Sequence, residues 1–168
     1  MLTDLKRATS PSMGVTFVRI ILGVIMFAHG AQKVMGWFGG SGLEATAGHF
    51  ARGIGVSTPL FYIAAFTEFF GGIALILGVL SRFFGLGILI EMFVAMIKVH
   101  IPVGFFMNWG STAGRGEGFE YNLALLAMSG LIVLAGPGLL AVGDWEPRIL
   151  GKLFPHAENR FHPRLQTR

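Results

Sequence analysis

Long apolar runs dominate the chain and are separated by short polar or glycine-rich segments. Four runs, at about residues 13–35, 58–80, 83–101 and 120–142, approach or exceed the ~20 apolar residues that a helix needs to cross a bilayer. Only a short turn before Arg82 separates the second run from the third, which predicts an antiparallel hairpin. The pattern therefore predicts an all-α integral membrane protein, an antiparallel bundle of four transmembrane helices.

The composition supports a membrane protein and narrows the chemistry. The chain is 53% hydrophobic and 13% charged, whereas charged residues make up about a quarter of an ordinary soluble domain. Its net charge is +4, but the basic residues collect near the chain ends, so we expect contact with lipid headgroups and no nucleic acid partner. The absence of cysteine excludes a disulfide, a thiolate nucleophile and a thiolate-ligated metal site.

The distribution of lysine and arginine predicts how the bundle is oriented. If four spans are correct, one side of the membrane receives most of these residues, and that side is cytoplasmic by the positive-inside rule. We therefore expect a cytoplasmic N-terminus at 1–12, a membrane domain at 13–142 and a basic cytoplasmic tail at 143–168. The residues on the cytoplasmic side are Lys6, Arg7, Arg82, Arg148, Lys152, Arg160, Arg164 and Arg168.

Ionisable residues inside the spans form a lower and an upper layer. Arg19 and Glu91 lie about 9 Å and 12 Å above the inner ends of their helices, given a rise of about 1.5 Å per residue. A long arginine side chain covers that difference, so the lower layer predicts a buried structural ion pair between Arg19 and Glu91. Proton transport by this pair is the alternative interpretation.

The upper layer predicts a polar pocket that opens outward. His29 and Glu68 lie about 9 Å and 14 Å below the outer face, within reach of each other. Two helix faces contribute, because positions 29, 32 and 33 share one face of the first span and positions 91, 95 and 98 share one face of the third. The alternative is that Lys33, Lys98 and His100 are interface residues that snorkel to the membrane surface. The candidates for ligand binding or proton transfer are His29, Gln32, Lys33, Glu68, Lys98 and His100; no catalytic residue and no metal site is assigned.

Small residues beside Glu68 predict a close helix contact. Gly71 and Gly72 follow Glu68 and two phenylalanines, and small residues in membrane helices allow a neighbouring backbone to approach. The glycine-rich segments 36–57 and 102–119 are predicted to be loops on the outer side.

Several sequence segments resemble the DoxX family over about residues 15–142. The resemblance is carried by "HGAQKVMGWFGGSGLEAT" after the first apolar run, "EFFGGIALILG", "KVHIPVGFF" and "GFEYNLALL". It implies a small four-helix protein of the bacterial inner membrane. Some family members are associated with quinone-linked oxidation of sulfur compounds, with catechol or quinone stress, or with membrane oxidoreductase assemblies.

Three functional hypotheses follow from the pocket and the resemblance. The leading one is a membrane subunit of a redox or quinone-linked system that binds a quinone or small aromatic ligand, with a soluble or membrane oxidoreductase as partner. The second is a non-catalytic scaffold that recruits soluble oxidoreductases through its basic tail. The third is a small transporter that uses Glu68 and Glu91 as carriers and that would need to form a homo-oligomer.

Overall fold

The computed structural model describes residues 13–142, which form helices joined by turns and loops. This confirms the predicted all-α fold for the described part of the chain, while segments 1–12 and 143–168 lie outside it. The helices are α1 (Met13–Val34), α2 (Leu43–Gly53), α3 (Thr58–Leu77), α4 (Ser81–Ala95), which continues as a π-helical turn at Met96–His100, and α5 (Glu120–Ala135).

Within residues 13–142, three helices are long and apolar enough to cross a membrane: α1, α3 and the continuous segment Ser81–His100. The chain is therefore a membrane protein. Helix α5 has only 16 residues, about 24 Å of rise, and so ends earlier than the predicted fourth span. It stops before Gly136, which has a positive φ of 84°. Pro137 then prevents continuation because it cannot donate a backbone hydrogen bond.

The four longer helices surround a shared apolar core. Helix α1 packs against α3 and α5, and α4 packs against the same two helices. Leu22, Met26, Leu75, Ile88 and Ile132 meet at the centre and are fully or almost fully buried. Many large apolar side chains instead point outward and are exposed, which suits helices whose outer surface contacts lipid.

Glycines bring α1 and α3 unusually close together. A Cβ atom built on Gly72 would overlap the backbone of Phe27, and one built on Gly30 would overlap the backbone of Phe69. The predicted close approach is thus confirmed at Gly72, whereas Gly71 faces the ring of Phe84. This crossing fixes the relative position of the two helices that carry the polar residues described below.

A short helix lies within the segment that the sequence analysis treats as a loop. Helix α2 packs on α3 through Ala47, which is buried with Phe61 and Ala65. The rings of Phe50 and Phe61 also meet, with centroids 5.0 Å apart. We call this end of the bundle, which carries segments 35–57 and 101–119, the loop end, and we call the opposite end, with the turn at 78–80, the turn end.

Candidate functional site

A buried ion pair joins α1 to α3. The ammonium of Lys33 donates to Oε2 of Glu68, and the two side chains are 17% and 4% exposed. Glu68 follows the buried residues Phe61 and Ala65 at helical spacing, so the core-facing side of α3 directs its carboxylate inward. Lys33 lies in the last turn of α1, where the helix dipole favours a cation.

A second carboxyl group extends this pair across to α4. The carboxyl group of Glu91 lies within hydrogen-bonding reach of that of Glu68, and its Oε2 atom is buried. Two carboxyl groups share a hydrogen bond only if one of them carries a proton. Lys33, Glu68 and Glu91 therefore form a chain of one ammonium and two carboxyl groups. We call these three residues the polar triad.

A cavity of about 310 Å³ lies beside the triad, between α2, α3 and the segment Ser81–His100. This volume is at the lower end of the range of about 300–1,000 Å³ that is usual for ligand pockets. Most of the lining is apolar, and its polar contributors are Lys33, Thr67, Glu91 and Lys98. Such a site has the character of a ligand pocket, with apolar walls and a few polar groups that fix orientation.

Three of the six predicted ligand-binding candidates come together at this cavity. Lys33 and Lys98 line it. Glu68 does not line the cavity itself, but it contacts Lys33 and interacts with Glu91, which both do. The stripe of Glu91, Ala95 and Lys98 that the sequence places on one helix face lines the same cavity.

The other three candidates lie outside the cavity lining. His29 interacts electrostatically with Lys33 and Glu68, but its side chain is exposed and its ring lies 6.4 Å from that of Tyr121. Gln32 approaches the carbonyl of Phe38 at 3.5 Å. Nδ1 of His100 lies 2.8 Å from the carbonyl oxygen of Glu117. The last two contacts hold the loop end together.

The expected Arg19–Glu91 ion pair is corrected by the structure. Arg19 is fully buried and donates from Nη2 to the carbonyl oxygen of Leu140 at 3.0 Å, while its Nε and Nη1 atoms have no hydrogen-bond partner. Glu91 instead contacts Glu68. Because α5 stops at Ala135, the following chain presents free carbonyl groups at the turn end, and Arg19 reaches these. Similar depth along two helices therefore did not imply contact.

Two contributors to the site could not be predicted from the sequence. Thr67 lines the cavity next to Glu68, but a single threonine in an apolar helix gives no distinctive signal. Helix α2 contributes Phe50 to the lining, and its apolar positions are interrupted by enough glycine and polar residues to be interpreted as a loop. Glu91 was assigned to the lower layer, although its helical spacing with Lys98 already indicated the cavity.

Comparison with known proteins places this architecture in a family. No solved structure matches the chain. A Bacillus subtilis (strain 168) protein named "Putative oxidoreductase CatD" is 28% identical over 130 residues, which are 77% of this chain and 84% of that protein. The DoxX family model matches residues 14–101, more than half of the chain and a range that includes the whole polar triad. The protein therefore belongs to the DoxX family.

Proposed function

We propose that this protein is a membrane subunit of a redox or quinone-linked system, and that its cavity binds a quinone or a similar small aromatic ligand. One observation carries the proposal: a mostly apolar cavity is lined by Lys33, Glu91 and Lys98 and adjoins the buried carboxylate of Glu68. Ionisable groups at membrane depth are costly and usually mark a functional path.

The cavity lining matches the chemistry of a quinone head group. A quinone is a flat apolar ring with carbonyl oxygens that accept hydrogen bonds. Lys33, Lys98 and Thr67 line the cavity, and their side chains carry the N–H and O–H donors that quinone oxygens need. Apolar residues such as Phe61 and Ala64 form the walls that contact the ring.

The polar triad supplies protons. Reduction of a quinone to a hydroquinone takes two electrons and two protons. Glu91 donates one proton to a ligand oxygen, is reprotonated from the aqueous phase, and then donates the second. Glu68, which lies beside Glu91, stays ionised throughout. The ammonium of Lys33 balances the carboxylate that remains. The electrons come from a partner oxidoreductase, consistent with the word "oxidoreductase" in the name of the Bacillus relative.

The same proposal includes the orientation of the bundle. Helix α5 is the fourth span, completed by residues 136–142, and both termini lie in the cytoplasm of a bacterium whose inner membrane holds the protein. The concentration of lysine and arginine in the terminal segments and near the turn at 78–80 supports this orientation. The loop end, and the cavity with it, then faces the outer leaflet.

Binding of a tailless quinone to the purified protein in lipid nanodiscs tests the proposal. Ala64→Leu adds volume to the cavity wall and is expected to weaken binding about 10-fold or more, about 1.4 kcal/mol. Ala127→Leu is the matched control, because Ala127 is exposed on α5 and does not line the cavity. His29→Ala, also outside the lining, is expected to have little effect.

The proposal fails if the quinone shows no saturable binding, or if Ala64→Leu and Ala127→Leu weaken it equally. A separate readout addresses proton transfer. Glu91→Gln keeps the size of the side chain but removes the transferable proton, so quinone binding should persist while reduction in the presence of the electron donor slows.

A further inference from the structure

We propose that the ligand of this cavity is borne by the membrane: its head group lies against the polar triad, its hydrocarbon tail leaves between α3 and α4, and it enters from the bilayer. This inference rests on the proposed function and adds the class of ligand and its route. Three features of the cavity carry it.

The first feature is a closed roof at the loop end. Phe50 of α2, and Ile54 and Val56 after it, line the cavity from this side. The ring of Phe50 packs at a tilt against that of the buried Phe61, with centroids 5.0 Å apart, and Val56 packs in the same apolar cluster. A polar solute arriving from the aqueous phase would have to displace this packed cluster.

The second feature is an open flank. Four apolar residues line the cavity and yet are substantially exposed, at 53%, 64%, 57% and 40%; they are Leu60, Ile63, Ile90 and Val94. A side chain that both lines a cavity and faces outward marks its mouth. These residues lie on the membrane-spanning helices α3 and α4, so the mouth opens toward hydrocarbon and not toward water.

The third feature is the elongated, graded lining. On α4 and the π-helical turn, lining positions run from Gly87 to Val99, about 18 Å along the helix axis. Lys33 and Glu91 occupy the deep side, next to the buried Glu68. Lys98 is exposed at the loop end, and the flank is apolar. A compact polar solute would fill only part of this elongated cavity. A ligand with a polar head and a hydrocarbon tail, such as a prenylated quinone, would match both parts.

Single-cysteine labelling tests this route cleanly because the native chain has no cysteine. Ile90→Cys places a thiol at the flank, and Ala51→Cys places one on the exposed outer surface of the roof helix α2. Leu131→Cys is a control on α5, and neither Ala51 nor Leu131 lines the cavity. Each variant is modified in detergent with a bulky thiol reagent and reconstituted in nanodiscs. Binding of a prenylated quinone and of a tailless quinone with the same head group is then measured.

We expect the prenylated quinone to bind unmodified protein about 10-fold more tightly than the tailless one, at equal concentration within the bilayer. Modification at Ile90 should weaken its binding about 10-fold or more, and modification at Ala51 or Leu131 should change it less than about 2-fold. Modification of the flank blocks the tail path, whereas modification of the roof leaves it open.

Two results would overturn the inference. An effect at Ala51 equal to or larger than that at Ile90 would indicate entry from the aqueous side. Equal affinity for the prenylated and tailless quinones would indicate that a phospholipid chain, and not the quinone tail, occupies the apolar flank of the cavity. These results differ from a failure of the proposed function, in which the tailless quinone would not bind the unmodified protein at all.

Discussion

Replacing Lys33 with methionine would remove the only cation in contact with Glu68 within the described residues, while keeping side-chain length and helix propensity. The pair is withdrawn from solvent, with exposures of 17% and 4%, so it does not belong with surface pairs worth about 0–1 kcal/mol. Removing one partner of a buried pair costs about 3–5 kcal/mol, because the other charge is left uncompensated. We expect a loss of stability in that range.

The neighbouring carboxyl group makes the prediction more specific. In Lys33→Met, Glu68 and Glu91 share a hydrogen bond with no ammonium beside them. Adding Glu68→Gln removes the uncompensated charge, and we expect it to recover most of the loss, since replacing both partners of a buried pair is often close to neutral. Glu91→Gln in the same background should recover less, because it leaves the Glu68 carboxyl without its cation.

Reversible unfolding in mixed micelles at neutral pH measures these free energies. A double-mutant cycle over Lys33→Met and Glu68→Gln should give a coupling energy of at least about 2–3 kcal/mol. The reasoning is refuted if the two substitutions are additive, or if the double variant is less stable than Lys33→Met alone. Either result would mean that the contact contributes no more than an exposed pair.

Two further predictions concern helix contacts. Gly72→Leu should lower the free energy of unfolding by about 1–3 kcal/mol or more, because the leucine side chain would overlap the backbone of Phe27. Gly130→Leu is the control, since the nearest atom to its Cβ position is 4.0 Å away. Equal losses of stability in the two variants would contradict the close crossing of α1 and α3. The losses of unfolding free energy caused by Arg19→Met and by Glu91→Gln should add within about 0.5 kcal/mol in the same assay. Strong coupling between the two substitutions would instead indicate that Arg19 and Glu91 form the ion pair expected from the sequence.

The membrane class and the helical fold could be predicted from the sequence because both depend on local chemistry. An apolar run of sufficient length specifies a helix in lipid, since every backbone hydrogen bond must be made within the segment. The close approach at Gly72 could also be predicted, because only a residue without a side chain permits it. Residue spacing likewise placed Glu91, Ala95 and Lys98 on one face.

Which polar groups meet was decided by the tertiary structure. Arg19 and Glu91 have similar depths, but depth along a helix leaves rotation about its axis and the choice of neighbour undetermined. The early end of α5 supplies carbonyl groups for Arg19, and the α1–α3 crossing brings Lys33 to Glu68. The cavity also needs α2, whose packing on Phe61 is a contact between two separate helices. Periodicity reports which side of a helix is polar, but only packing determines which side chains that polar face meets.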